Sequence, residues 1–135
     1  MSRSSPKRVL IVDDEMDMRV FMKTLFETSG WQPAVTRDGA QGLARAQRER
    51  PDLIILDVMM PGEGGALMYK ALKTDPTLAG IPVIMLSAVK PDVFHHYLKM
   101  LNLRSETLIP TPDAYMEKPP EIDALLELAN SLVRP

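Results

Sequence analysis

The chain contains no cysteine. That absence excludes disulfides, thiolate catalysis and every cysteine-based metal site. It also has little net charge, −2 over 135 residues, and so no basic excess of the kind that marks nucleic-acid binding. No apolar run approaches the length needed to cross a membrane. The opening Met1-Ser2-Arg3-Ser4-Ser5-Pro6 has no apolar stretch behind it long enough for a signal peptide. A cytoplasmic protein without membrane or nucleic-acid partners is the expectation. Internal repeats, low-complexity tracts and signs of a second domain are absent as well.

What is present suits one globular domain, with 45% hydrophobic and 25% charged residues. Residues 1–6 read as a flexible lead and 7–135 as a single domain. Lys7 to Asp13 is a buried strand built on Val9-Leu10-Ile11-Val12. Glu15 to Ser29 reads as a helix stopped by Gly30, with Met16, Val20 and Leu25 on its apolar face. Gln32 to Thr36 is a weaker strand, and Pro33 assigns it to a sheet edge because proline cannot donate to a ladder. A helix from Ala40 to Arg50 precedes the buried strand Leu53 to Leu56.

Ala66 to Thr74 reads as a helix and Ile81 to Leu86 as a strand. Pro91 opens a further helix with Val93, Tyr97, Leu98 and Leu101 at helical spacing. Residues 102–113 have no clean period. Ala114 to Met116 is a short strand, and Ile122 to Leu132 a final amphipathic helix. Apolar strands alternating with helices imply an α/β domain, a doubly wound five-stranded parallel sheet covered on both faces.

Ligands of such sheets bind beyond the carboxyl ends of the strands. Asp13, Asp14, Asp57, Ser87 and Lys118 all fall at or just past strand ends. Two acid-tipped strands can build one pocket that holds a hard cation and offers a carboxylate as nucleophile. His95 and His96 are adjacent, so on a helix they point about 100° apart and read as a solvated face. The ten methionines read as core filler.

The series Ile11-Val12-Asp13-Asp14-Glu15, Asp57 with Met59-Met60-Pro61-Gly62, Ser87-Ala88 and Lys118-Pro119 resembles the receiver domain of two-component response regulators. The resemblance covers essentially the whole chain. It implies a flavodoxin-like three-layer sandwich with strand order 2-1-3-4-5. It implies that Asp57 accepts a phosphoryl group from a histidine kinase or histidine phosphotransfer protein. Asp14, Asp57 and the Met59 backbone carbonyl would hold Mg2+ (or Mn2+), with Asp13 helping directly or through water. Lys118 and Ser87 would bind the phosphoryl oxygens, and Tyr115 would follow Ser87 as a switch. A cis bond at Lys118-Pro119 is also expected. The product would be a stand-alone phosphoacceptor, monomer or weak dimer, that signals by contact with an unknown protein and catalyses only its own phosphorylation and dephosphorylation.

Two departures stand out. Ser87 and Lys118 are 31 positions apart, longer than the family pattern by about ten residues, with the excess around residues 102–113. That enlarged segment is expected to reshape the output face. Met59 and Val89, where hydrolytic water would pass, are apolar and cannot orient it. Three other readings remain: an unphosphorylated binding module, an aspartate-nucleophile phosphohydrolase, and a flavodoxin-like cofactor carrier. Met59 stands where the hydrolase needs its second acid. Acidic Asp14-Glu15 would repel a cofactor phosphate.

Overall fold

A computed structural model describes residues 5–58, 64–104 and 109–133. Strands β1 (Arg8–Val12), β2 (Gln32–Thr36), β3 (Leu53–Leu56), β4 (Val83–Ser87) and β5 (Ala114–Glu117) alternate with helices α1 (Met16–Thr28), α2 (Gly39–Glu49), α3 (Gly64–Thr74), α4 (Pro91–Arg104) and α5 (Ile122–Leu132). The strands form one parallel sheet in the order β2-β1-β3-β4-β5. Pro33 does lie on an edge strand. The reversal of strand order falls between β1 and β3, whose ends carry Asp13 and Asp57.

Side chains on a strand alternate between faces, so a run such as Val9-Leu10-Ile11-Val12 serves two cores at once. Leu10, Val12, Ile54 and Leu56 pack with Ala46 of α2, Met68, Tyr69 and Leu72 of α3, and Phe94 and Leu98 of α4. Val9, Ile11, Leu53 and Ile55 face the other way, toward Met22 and Phe26 of α1 and Leu125 and Ala129 of α5. Trp31 closes that second core edge-on to Phe26, with ring centroids 5.4 Å apart. Each fully buried side chain of this size contributes roughly 1.5–3 kcal/mol. Gly30 stops α1 with φ +88°, a conformation side chains resist.

Several expectations need correction. Met16 and Val20 do not face the core; they are exposed, and Met22 and Phe26 take that role. On α4, Val93 is exposed and Phe94 is buried. The Leu101 side chain lies outside the described ones. β4 begins at Val83 rather than Ile81, because the Ile81 amide closes a turn onto Leu78 O at 3.0 Å and Pro82 has no amide to give. α4 continues through Arg104, taking in Asn102, where the sequence shows no periodicity.

The return limb of the enlarged segment is fastened to the body. Asn102 grips Ile109 twice: its Nδ2 donates to Ile109 O at 3.1 Å, and its Oδ1 accepts from Ile109 N at 2.6 Å. The Tyr69 hydroxyl donates to Pro110 O at 2.7 Å, and Asp113 Oδ2 accepts from Val83 N at 2.8 Å. Burial and the nearby Asp113 charge both push the Tyr69 hydroxyl pKa upward.

Candidate phosphoacceptor site

Parallel pairing brings the strand ends into line. Val12 registers with Leu56, and Asp57 N donates to Val12 O at 2.9 Å. Ser87 registers with Glu117, and Lys118 N donates to Ser87 O at 2.8 Å. Asp13 is 2% exposed and Asp57 5%, while Asp14 projects into solvent. The three aspartates each present a carboxylate oxygen, all within 4.8 Å of one another.

The turn into α1 is held by the site itself. Asp13 Oδ1 accepts from Glu15 N at 2.9 Å, and the Arg19 guanidinium donates to Asp13 O at 2.8 Å. Across the cluster, Lys118 Nζ lies 2.8 Å from Asp13, 2.7 Å from Glu15 and 3.2 Å from Asp57. Burial alone pushes an ammonium pKa down. Hydrogen bonds to Asp13 and Glu15, with the charges of Asp57 and Asp13, outweigh it, and the Lys118 pKa rises. Glu15 is held below the usual carboxylate range by its hydrogen bond and attraction to Lys118. The Lys118-Pro119 bond is cis.

α3 approaches the site from behind. A Cβ on Gly65 would collide with Asp57 O and sit 2.7 Å from Val58 Cα, so only glycine allows the helix to start this close. On the other flank Ser87 is fully buried, and its hydroxyl accepts from Val89 N at 3.3 Å. The Tyr115 hydroxyl donates to the Val89 carbonyl. Its half-buried ring stacks on Phe94, with centroids 4.7 Å apart and planes 23° apart. Burial raises the Tyr115 pKa; the Ser87 hydrogen bond opposes this, and the charges of Glu117 and Asp57 add to the rise.

The structure thus brings together Asp13, Asp14, Asp57 and Lys118, with Ser87 and Tyr115 linked through the loop after β4. Met59 lies outside the described residues. Sequence reasoning missed Glu15 and Arg19 as members. Glu15 stood in view within the acidic run after β1. Arg19 left no signal, because its partner is a backbone carbonyl.

Residues 9–129 match the family model described as the response regulator receiver domain. The chain belongs to this family. Among receivers and receiver-containing proteins, it is 43% identical over 84 residues to the polar-differentiation response regulator DivK of Brucella anthropi, covering 62% of this chain and 68% of DivK. It is 35% identical over 82 residues to the DNA-binding response regulator MtrA of Mycobacterium tuberculosis, covering 61% of this chain but only 35% of MtrA. The fold matches the Vibrio cholerae chemotaxis protein CheY4 with a TM-score of 0.80 at 25% identity, over 96% of this chain and all of that one. The receiver is a signalling regulator with the flavodoxin-like architecture, and its acidic pocket suits a metal ion and an aspartyl phosphate. Among the described residues, no helix is long and apolar enough to cross a membrane.

Proposed function

We propose that this receiver takes a phosphoryl group onto Asp57 from a phosphohistidine of a histidine kinase or phosphotransfer protein. One observation carries the reading. Four strand ends deliver Asp13 and Asp14, Asp57, Ser87, and Lys118 to one spot. An Asp57 carboxylate oxygen forms the new bond to phosphorus as the donor's P–N bond breaks. The electron pair returns to the imidazole nitrogen, which takes a proton from solvent. A carboxylate is a weak nucleophile, so positioning and charge neutralisation do the catalysis. Catalysis extends only to the protein's own phosphorylation and dephosphorylation.

The donor set fits Mg2+ or Mn2+, since it offers carboxylate oxygens without sulfur or nitrogen. Asp14, Asp57 and the Met59 carbonyl would hold the ion, with Asp13 helping directly or through water. When bound, it supplies positive charge that offsets the carboxylates and the transferring group. Lys118 supplies a compact charge to the phosphoryl oxygens. Ser87 donates a hydrogen bond to one of them and draws in the loop after β4. Tyr115 follows because its hydroxyl is tied to that loop at Val89.

Exposed Met16 and Val20 follow Asp14 on α1 and offer an apolar landing for the phosphodonor protein beside the acids. Downstream contact falls to the α4 face and residues 102–113. The protein works in the cytoplasm as a monomer or weak dimer.

The test is incubation with Mg2+ and acetyl phosphate or phosphorylated kinases, with phosphoprotein resolved on a phosphate-affinity gel. A band in wild type that disappears in Asp57→Asn is the expected result. No band with any donor favours an unphosphorylated binding module, and continuous turnover of small phosphoesters favours a phosphohydrolase.

A further inference from the structure

An ammonium has three N–H donors and no acceptor. In Lys118 all three are faced by carboxylates: Glu15 at 2.7 Å, Asp13 at 2.8 Å and Asp57 at 3.2 Å. Phosphorylation turns the Asp57 carboxylate into an acyl phosphate, so that contact passes to the phosphoryl group, and any further hydrogen bond the group draws from Lys118 displaces Asp13 or Glu15. Those two are not equally easy to displace. The Asp13 side chain is 3% exposed, so losing the ammonium would leave a buried charge poorly compensated. The Glu15 side chain is 61% exposed, and water replaces its partner at little cost. Its backbone is nonetheless fixed beside the site, because Glu15 N donates to Asp13 Oδ1 at 2.9 Å. The side chain also caps nothing at the start of α1.

We infer that Glu15 is a positioning residue: it parks Lys118 in the resting state and gives it up when Asp57 is phosphorylated. The inference rests on the phosphoacceptor reading of Asp57. A contact made in the resting state and lost in the phosphorylated one shifts the balance toward rest by its own differential strength. An exposed ion pair of this kind corresponds to about a two- to fivefold change in an equilibrium.

Glu15→Ala and Glu15→Asp test it against wild type. Asp keeps the charge but is one methylene too short to reach the ammonium. With Mg2+ and acetyl phosphate, both variants should accumulate phosphoprotein about two- to fivefold more readily than wild type. The advantage should shrink in 1 M salt, where exposed charges are screened. Urea midpoints should fall only slightly, because the Glu15 side chain is exposed, and a merely structural role would lower phosphoprotein accumulation rather than raise it. In unphosphorylated protein, the NMR resonances of the Lys118 ammonium should move in both variants. Behaviour of Glu15→Asp like wild type would reduce Glu15 to a general field effect and overturn the assignment. Unmoved Lys118 resonances would overturn it even if no acetyl phosphate were accepted. Failure of wild type to label at all would instead count against the proposed function.

Discussion

The two ends of the sheet are built on opposite plans. At the carboxyl ends, side chains face side chains: three carboxylates (Asp13, Asp57, Glu15) crowd round one ammonium, and Asp14 lies close to Asp13 and Asp57. At the amino ends, side chains mostly satisfy backbone. Arg8 Nη2 donates to Glu49 O and Arg50 O at 2.5 and 2.9 Å, and Asp52 accepts from Arg8 N at 2.8 Å. Lys73 donates to Ala79 O and Ile81 O at 3.1 and 3.2 Å, beside the Asn102, Tyr69 and Asp113 ties. About five residues of strand, roughly 17 Å, separate the two ends. One end holds surplus like charge that a cation or a phosphoryl group can rearrange. The other is stitched, and holds the strands in register while the first changes.

That contrast is open to direct challenge. The largest effect belongs to Asp57→Asn, which should abolish phosphoprotein while leaving the circular dichroism spectrum and cooperative unfolding intact. A variant that unfolds would place Asp57 among the stitches. Asn102→Ala should do the reverse. It leaves both backbone polar groups of buried Ile109 without their Asn102 partners, at a cost of about 1–3 kcal/mol by urea denaturation, while acetyl phosphate labelling persists.

A pH scan should separate wild type from Lys118→Met. The Lys118 pKa is raised in the fold, so its contribution is fully present below the ordinary lysine value. It is lost as pH rises through the higher folded value, so the gap between the two proteins should close in strongly alkaline urea titrations. For Glu15, held low by Lys118, the contribution is present above the ordinary carboxylate value and fades as pH falls through the lowered one. Smallest is Asp38→Ala, away from both clusters. Asp38 Oδ1 caps α2 through Gln41 N at 2.8 Å, and its loss should cost about 1 kcal/mol with no change in labelling. With Val89 partly buried and apolar beside the site, purified phosphoprotein should persist for minutes or longer; decay within seconds would show that hydrolysis needs no polar group there.

Much of this was legible in the residues. Asp13 and Asp57 announced themselves because each ends an apolar run, where a charge stays buried only if a partner or a ligand compensates it. Pro33 marked its edge, and Pro119 pointed to the cis bond. Other features were hidden for physical reasons. Val93 and Phe94 are neighbours of similar apolarity, and it is tertiary packing, in the core around Tyr69, Met85 and Leu98 and against Tyr115, that turns Phe94 inward. Residues 102–104 hid their helix because Leu103 is 82% exposed, which breaks the apolar period. The Asn102 grip on Ile109 uses backbone groups, which carry no residue-type signal. The Glu15 pairing spans 103 positions of sequence, and nothing local reports it.

Pro33 has one more consequence. Gln32 N donates inward to Lys7 O at 2.8 Å, so alternation turns the next nitrogen, that of Pro33, toward the outside of the sheet. That nitrogen carries no hydrogen. A foreign strand laid along β2 would find a gap in the row of donors it needs to join the ladder. The residue that marks this strand as outermost therefore also guards it, and helps keep one molecule's sheet from growing onto the next.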